Sequence, residues 1–418
     1  MKATAHYAHI AQALFDSVRA ATAGRLGVTR DSYGAGESRG IGVLTQFAQQ
    51  QGIATQVDRA GNVTFSLADD TRDRPVLCGS HLDSVPEGGN FDGLAGVVAG
   101  LLCLMRQRDE GRRGAHPLHV LALRGEESAW FGKAYLGSSA LFGRLPRALL
   151  DARHRSTGAT LAACMREVGA DVEAIAAGEV LLDANHAAGY IELHIEQGAL
   201  LDDAQQSVAI VPSIRGNVRY RNVRCIGEPG HSGAVPRERR HDAVFAAAHV
   251  VGALDEYWKQ ELAQGADLVI TCGVFGTRAE EHAISRIPGE VDFSFEARSA
   301  DPQVLTRVLD VFERTLADTT ASHGVRFETG TLLQTAPATM DAGWIALLEQ
   351  NARALNLSAP RLPSGAGHDA AMFAEAGIRS AMIFVRNQHG SHNPDESMRL
   401  VDFMDGVELL YESLDAFV

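Results

Sequence analysis

Residues 74–102 constrain the fold more than any other segment, because a strand, a cluster of ionisable side chains and a helix follow one another there without a break. Arg74-Pro-Val-Leu-Cys78 reads as a short buried strand, and Leu94-Ala-Gly-Val-Val-Ala-Gly-Leu-Leu102 as a buried helix. Between them, Gly79-Ser-His-Leu-Asp-Ser-Val85 and Asn90-Phe-Asp-Gly93 carry one imidazole and two carboxylates. An apolar strand feeding an apolar helix is the repeating unit of an open α/β sheet. Such sheets bind ligands beyond the carboxyl ends of their strands, which is where His81 and Asp92 fall.

Three further strand ends carry the same residue types. Pro117-Leu-His-Val-Leu-Ala-Leu123 runs into Gly125-Glu126-Glu127-Ser128. Gly189-Tyr-Ile-Glu-Leu-His-Ile-Glu-Gln-Gly198 alternates, so it predicts a half-buried strand with Glu192, His194 and Glu196 on its polar face. Ser380-Ala-Met-Ile-Phe-Val385 leads to Gly390-Ser-His-Asn-Pro-Asp-Glu396. Two divalent ions about 3.5–4 Å apart need imidazoles, carboxylates and one shared carboxylate, with an open position for water or substrate. The chain supplies these parts, and His81 with His194 is assigned to one ion, Glu127 with His392 to the other, and Asp92 to both. Glu126, beside a ligand and left unligated, is the expected general base and proton donor to the leaving nitrogen. Asp83 is expected to accept the second N–H of His81.

The ordered motifs Gly79-Ser-His-Leu-Asp-Ser-Val85, Asp92-Gly93, Glu126-Glu127, Glu192-Leu-His-Ile-Glu-Gln-Gly198, Gly230-His-Ser-Gly-Ala-Val-Pro236, Ile287-Pro-Gly289, Gly365-Ala-Gly-His-Asp-Ala370 and Ser391-His-Asn-Pro-Asp-Glu396 resemble those of the hydantoinase/carbamoylase amidases. That branch of the dinuclear-metal aminoacylase/carboxypeptidase superfamily includes N-carbamoyl-L-amino-acid hydrolases, allantoate amidohydrolases and β-ureidopropionases. The resemblance spans roughly residues 8–410. It implies a metal-dependent amidohydrolase that cleaves the ureido C–N bond of an N-carbamoyl-L-amino acid to amino acid, ammonia and carbon dioxide. Allantoate and N-carbamoyl-β-alanine are the nearest alternative substrates; a dipeptidase, an N-acylamino-acid deacylase or an inactive dimeric binding protein lies further off.

The resemblance also carries site residues. It implies that Gln197, His231, Ser285, Arg298, Gly365 and His368 contact substrate, that His231 also stabilises the oxyanion, and that His392 rather than His368 is the ligand of the last cluster. A planar guanidinium such as Arg298 suits a carboxylate, and an imidazole such as His231 suits a developing oxyanion. Three places depart from the pattern. Ser128-Ala-Trp-Phe131 stands where relatives have Gly-Ser-Arg-Phe, Ser285-Arg286 where they have Asn-Val, and His231-Ser-Gly-Ala-Val-Pro236 where they have His-Ala-Gly-Thr-Thr-Pro. These changes leave the metal chemistry intact and point to altered specificity.

A chain of 418 residues exceeds one ordinary core, so two domains are expected. Strands and helices alternate up to about residue 212; then come a strand at 216–226, a long amphipathic helix at 241–262, strands at 267–274 and 291–298, a helix at 301–321 and a strand at 325–333. That order predicts an inserted ferredoxin-like α+β domain, 214–333, within an α/β dinuclear metallohydrolase domain of 1–213 and 334–418 built on a central mixed sheet flanked by helices. By resemblance the insertion is a lid and a homodimerisation domain, and 216–226, read as an exposed strand, and the long helix could pair with a second copy.

A net charge of −14 argues against nucleic acid or an anionic membrane as partner. Cys78, Cys103, Cys164, Cys225 and Cys272 are odd in number, widely spaced and free of any Cys-x-x-Cys, so they read as buried thiols; with no apolar h-region in the first residues and no run of 18 uncharged apolar residues, a cytoplasmic protein is expected. The ligand types suit Zn²⁺ first, with Mn²⁺, Co²⁺ or Ni²⁺ also fitting.

Overall fold

The computed structural model describes residues 2–418, which form two compact units. The first joins the chain up to Pro212 to Thr339–Val418, and the second is Ser213–Ala338. No helix among the described residues is long and apolar enough to cross a membrane.

The first unit is α/β, with a seven-stranded mixed sheet. Its strands lie side by side in the order Ile53–Val57, Val63–Leu67, Leu118–Leu123, Val76–His81, Gly189–Ile195, Ser380–Val385 and Val208–Val211. The four inner strands from Leu118–Leu123 to Ser380–Val385 are parallel, and antiparallel pairs close both edges. The helices Leu94–Glu110, Asp369–Glu375 and Leu400–Ala416 pack against this sheet. A strand covered on both faces becomes a continuous apolar run. Val76–His81 and Ser380–Val385 are buried throughout, as such runs require.

Gly189–Ile195 corrects the sequence reading. Its alternation predicted one wet face, yet every residue of the strand is buried. Glu192 survives there because Ser80 Oγ donates to one of its oxygens (2.6 Å) and the Ala370 amide to the other (2.8 Å). A buried charge with both oxygens satisfied imitates, in sequence, a solvated one.

In the second unit the sheet order is Val269–Thr271, Glu290–Ser299, Gly216–Ile226 and Arg326–Thr329, all antiparallel. Helices Ala243–Ala263 and Pro302–His323 share one core with it, in which Phe295 stacks on Phe312 at 4.1 Å. Strand, helix, strand, strand, helix, strand with this neighbour order is the ferredoxin-like arrangement. Two details differ from expectation. Gly216–Ile226 is an interior strand whose Val218, Tyr220, Val223 and Cys225 are buried. The spacing of those four changes phase where Phe293 and Phe295 oppose Val223 and Tyr220, because one extra residue is accommodated there as a bulge. The final strand breaks into Arg326–Thr329 and Leu332–Thr335 around Gly330.

Candidate metal centre

Four of the five expected ligands sit where inner parallel strands end. His81 is the last residue of its strand, Glu127 follows Leu118–Leu123, His194 is next to last in Gly189–Ile195, and His392 lies in the loop after Ser380–Val385. Asp92 precedes the helix Leu94–Glu110. Nε2 of His81 and Nε2 of His194 lie 3.3 and 3.2 Å from Oδ1 of Asp92. Nε2 of His392 lies 3.4 Å from the other Asp92 oxygen and 3.3 Å from Oε1 of Glu127. Two three-ligand clusters thus meet at one carboxylate, each using a different oxygen.

The donor chemistry of the first cluster suits a cation. Nδ1 of His194 is 2.8 Å from the Ile195 carbonyl, and Nδ1 of His81 is 3.1 Å from the Asp83 carbonyl. A carbonyl only accepts, so each ring keeps a hydrogen on Nδ1 and turns Nε2 toward Asp92 as the atom that can bind an ion. The Gly93 amide donates to Nε2 of His194 at 3.3 Å, as it can only to a lone pair. The two Nε2 atoms face each other at 3.4 Å with Asp92 Oδ1 beside both. With a hydrogen already on each Nδ1, these three atoms crowd together favourably around a positive charge, a proton or a metal ion. In the second cluster, Oε1 of Glu127 is buried and has no hydrogen-bond donor. Imidazole and carboxylate sets of this kind suit divalent ions.

Asp83 does more than the sequence indicated. Its carboxylate is fully buried and accepts the amides of both Glu126 and Glu127 at 3.0 Å, together with the Ser32 hydroxyl at 2.5 Å. Nδ1 of His81 is 3.3 Å from one of its oxygens, slightly farther than from the Asp83 carbonyl. One side chain therefore fixes the turn that carries Glu126 and Glu127. Burial, reinforced by the neighbouring carboxylates of Glu127, Asp369 and Asp83, pushes the Glu126 carboxyl well above the ordinary carboxylate value. A carboxyl of that kind is suited to take up and return a proton.

Of the expected substrate contacts in this unit, Gln197 donates from Nε2 to Asp92 at 2.8 Å and leaves its own Oε1 buried without a partner. His368 packs edge-on against His194, with ring centroids 4.5 Å apart, and its Nε2 lies 2.8 Å from the Ser364 hydroxyl. Gly365 belongs to the loop that leads into His368. Gln197 and His392 both hold left-handed backbone, a costly conformation for residues with a Cβ that gathers at functional sites. Within the second unit, Gly230–His231 pairs with Arg286–Ile287, and the Ser232 amide donates to the Ser285 carbonyl at 2.8 Å. That brings His231 and Ser285 together on one small ribbon. Arg298, on the strand Glu290–Ser299, lies 3.1 Å from Glu296.

Sequence reasoning missed three groups that hold this centre. Ser391 Oγ is 2.6 Å from Asp92 and 2.6 Å from Glu396, and Glu396 accepts the amides of Phe91 and Asp92. Both lie in the motif around His392, so proximity to a ligand was their only signal. Arg30 is wholly buried and donates to the main-chain carbonyls of Leu82 and Asp92. Nothing local to Arg30 marks that role.

A model of peptidase family M20/M25/M40 matches residues 77–416. The chain is 32% identical over 394 residues to an N-carbamoyl-L-amino acid amidohydrolase of Geobacillus stearothermophilus, covering 93% of each. It is 29% identical over 365 residues to an allantoate amidohydrolase of Escherichia coli (strain K12), covering 86% of this chain and 85% of that one. Among solved structures, a hydantoinase/carbamoylase family amidase from Burkholderia multivorans superposes with a TM-score of 0.88 at 26% identity, covering 98% of this chain and 97% of that one.

Proposed function

Because the chain belongs to peptidase family M20/M25/M40 and is an amidohydrolase acting on C–N bonds, we propose that its substrate is an N-carbamoyl-L-amino acid, cleaved to amino acid, ammonia and carbon dioxide. The observation that carries the chemistry is the pair of ligand clusters joined through the two oxygens of Asp92. The choice of substrate is supported by the amidohydrolase relative that matches along 93% of the chain. Allantoate is the second reading, supported by the allantoate amidohydrolase of similar reach.

In this reading His81, His194 and Asp92 hold one divalent ion, and Asp92, Glu127 and His392 hold the other, with zinc the first choice. Such a pair supplies polarisation of the ureido carbonyl and an acidified water. Glu126 takes the proton of the attacking water and delivers it to the nitrogen of the departing amino acid. The carbamate left behind falls apart into carbon dioxide and ammonia. Asp83 keeps Glu126 and Glu127 in register for those tasks. Gln197, Gly365, His368, His231, Ser285 and Arg298 are the substrate contacts, with Arg298 for the carboxylate and His231 for the oxyanion.

We also infer a homodimer formed through the second unit. Helix Ala243–Ala263 exposes Phe245, Val274 and Phe275 are exposed as well, and Val269–Thr271 is a sheet edge. Apolar side chains beside an open edge are the features a second copy would cover. The free thiols, four of them buried, support a cytoplasmic setting.

The test is a panel of N-carbamoyl-L-amino acids, N-carbamoyl-β-alanine, allantoate, N-acylamino acids and dipeptides, assayed for ammonia and free amine before and after chelation. The expected result is ammonia and amine in equal amounts from carbamoyl-L-amino acids, lost on chelation and restored by a divalent ion. Amine release from dipeptides alone would make it a peptidase; neither metal uptake nor turnover on any substrate would make it a binding protein.

A further inference from the structure

We propose that the cleft bordered by Asp31, Arg124 and His154 is a second binding site: it takes a free α-amino acid with an apolar side chain, and its occupancy changes kcat. The binding stands on the cleft alone, while the effect on kcat rests on the amidohydrolase reading above.

The cleft encloses about 680 Å³, within the range of small-molecule sites, and none of the expected metal ligands or substrate contacts borders it. Its charged side chains are two of each sign, Arg39 and Arg124, Asp31 and Glu167. Arg39 places Nε on the Ala21 carbonyl at 2.9 Å, and Arg124 places Nε on the Gly61 carbonyl at 2.7 Å and Nη1 on Glu37 at 2.5 Å. Each keeps Nη2 for a further acceptor, and a guanidinium suits a carboxylate. Asp31 accepts the Gly36 amide on Oδ1 at 2.6 Å and keeps Oδ2. A lone anion or cation would meet as many like charges as opposite ones, whereas a zwitterion answers both signs. Tyr33, Cys164 and Val168 add apolar surface for a side chain.

His154 gives the cleft a fixed donor. It is 3% exposed, with its ring stacked on Trp130 at 5.2 Å and met edge-on by Phe131. Nδ1 accepts the amides of Ser156 and Thr157 at 3.3 and 3.2 Å, so the hydrogen of the neutral ring is on Nε2. Burial holds the imidazole below its ordinary value and so in that neutral form. The N–H is buried without a hydrogen-bond acceptor, 3.5 Å from Oδ2 of Asp31. A buried donor in that state is costly, and a ligand carboxylate would complete it.

Three of these residues are joined to the turn that carries Glu126 and Glu127. Asp31 precedes Ser32, whose hydroxyl donates to Asp83 at 2.5 Å. Arg124 precedes Gly125, whose amide donates at 2.9 Å to Glu37, the carboxylate that also holds Arg124. His154 stacks on Trp130, three residues beyond Glu127. A ligand that draws on Asp31 and Arg124 therefore acts on the geometry of the expected general base, not on the space a substrate fills, and kcat is the quantity that responds.

Calorimetric titration of the metal-loaded enzyme with L-valine, isovalerate and isobutylamine tests the site. Valine should bind saturably, and the other two, each lacking one charge, about tenfold or more weakly. Arg39→Ala and Asp31→Asn should each weaken valine about fivefold or more, as loss of a charge-assisted bond does. No binding of valine, equal binding of all three, or binding unchanged in both variants would overturn the proposal. In the assay, valine at a concentration that saturates the parent should change its kcat about fivefold, and that of Arg39→Ala less than twofold, each relative to its own rate without valine. An effect on KM alone, equal in the two proteins, would place valine at the metal centre as product and end the regulatory claim. If no carbamoyl compound is turned over, the substrate reading fails by itself, and the titration still decides the cleft.

Discussion

Replacing Asp83 by asparagine is the sharpest test of how the catalytic turn is held. The aspartate uses one oxygen for the Glu126 amide and the other for the Glu127 amide and the Ser32 hydroxyl. Asparagine has a single acceptor oxygen, so in either orientation its NH₂ must face one of the two amides. One charge-assisted bond is lost, roughly 1.5–3 kcal/mol, and one buried donor is left unpaired, roughly another 1–3 kcal/mol. The turn will relieve part of this by moving, which displaces Glu127 from Asp92 and His392. We therefore expect Asp83→Asn to lose about 3 kcal/mol of stability, several degrees in Tm, and to bind metal about 10–100-fold more weakly, as loss of a group that orients ligands does. Calorimetric unfolding of the metal-free protein and equilibrium dialysis against graded metal buffers measure the two separately. A variant with the parent Tm and metal affinity within about threefold would refute the claim that this carboxylate fixes the turn.

The metal assignment makes its own demands. Asp92→Ala should lose both ions, whereas His194→Ala and His392→Ala should each weaken mainly one; a fully loaded Asp92→Ala protein by elemental analysis would sink the shared-carboxylate reading. Glu126→Gln keeps shape and hydrogen bonding but cannot carry a proton, so metal content should stay while kcat falls about 10²–10⁴-fold; near-parental turnover would move the role to another group. Gly93→Ala should displace His81, because its Cβ would lie 2.6 Å from the imidazole and φ there is 66°. Metal titration should show the site of His81 and His194 weakened more than that of Glu127 and His392, with equal weakening counting against the placement.

Much of the first unit was legible because buried parallel strands are written as apolar runs that stop where polar function begins. His81, Glu127 and His392 each follow such a stop, so their convergence could be anticipated from strand ends alone. Glu192 could not, since a carboxylate satisfied by Ser80 and a main-chain amide looks in sequence like one facing water. Arg30 and Glu396 were hidden for a related reason: their partners are carbonyls and amides supplied by distant parts of the chain, and main-chain groups leave no residue signature. In the second unit the bulge opposite Phe293 and Phe295 shifts the alternation of Gly216–Ile226, which disguised an interior strand as an exposed one.

The strand Ser380–Val385 lies between Gly189–Ile195 and Val208–Val211, although the whole second unit is synthesised before it. During translation, then, Gly189–Ile195 waits with one edge unpaired and Val208–Val211 has not yet joined the sheet. Pairings between such distant segments are slow to form, and open apolar edges meanwhile invite association with other nascent chains. The inserted unit contains all the strands of its own sheet and can fold during that interval. A chain cut short after it would carry a folded insertion on an unfinished sheet lacking His392. On the metal assignment proposed above, hydrolysis would await the segment that carries His392, and chaperones that shield the waiting edge should govern yield more than any stabilisation of the insertion.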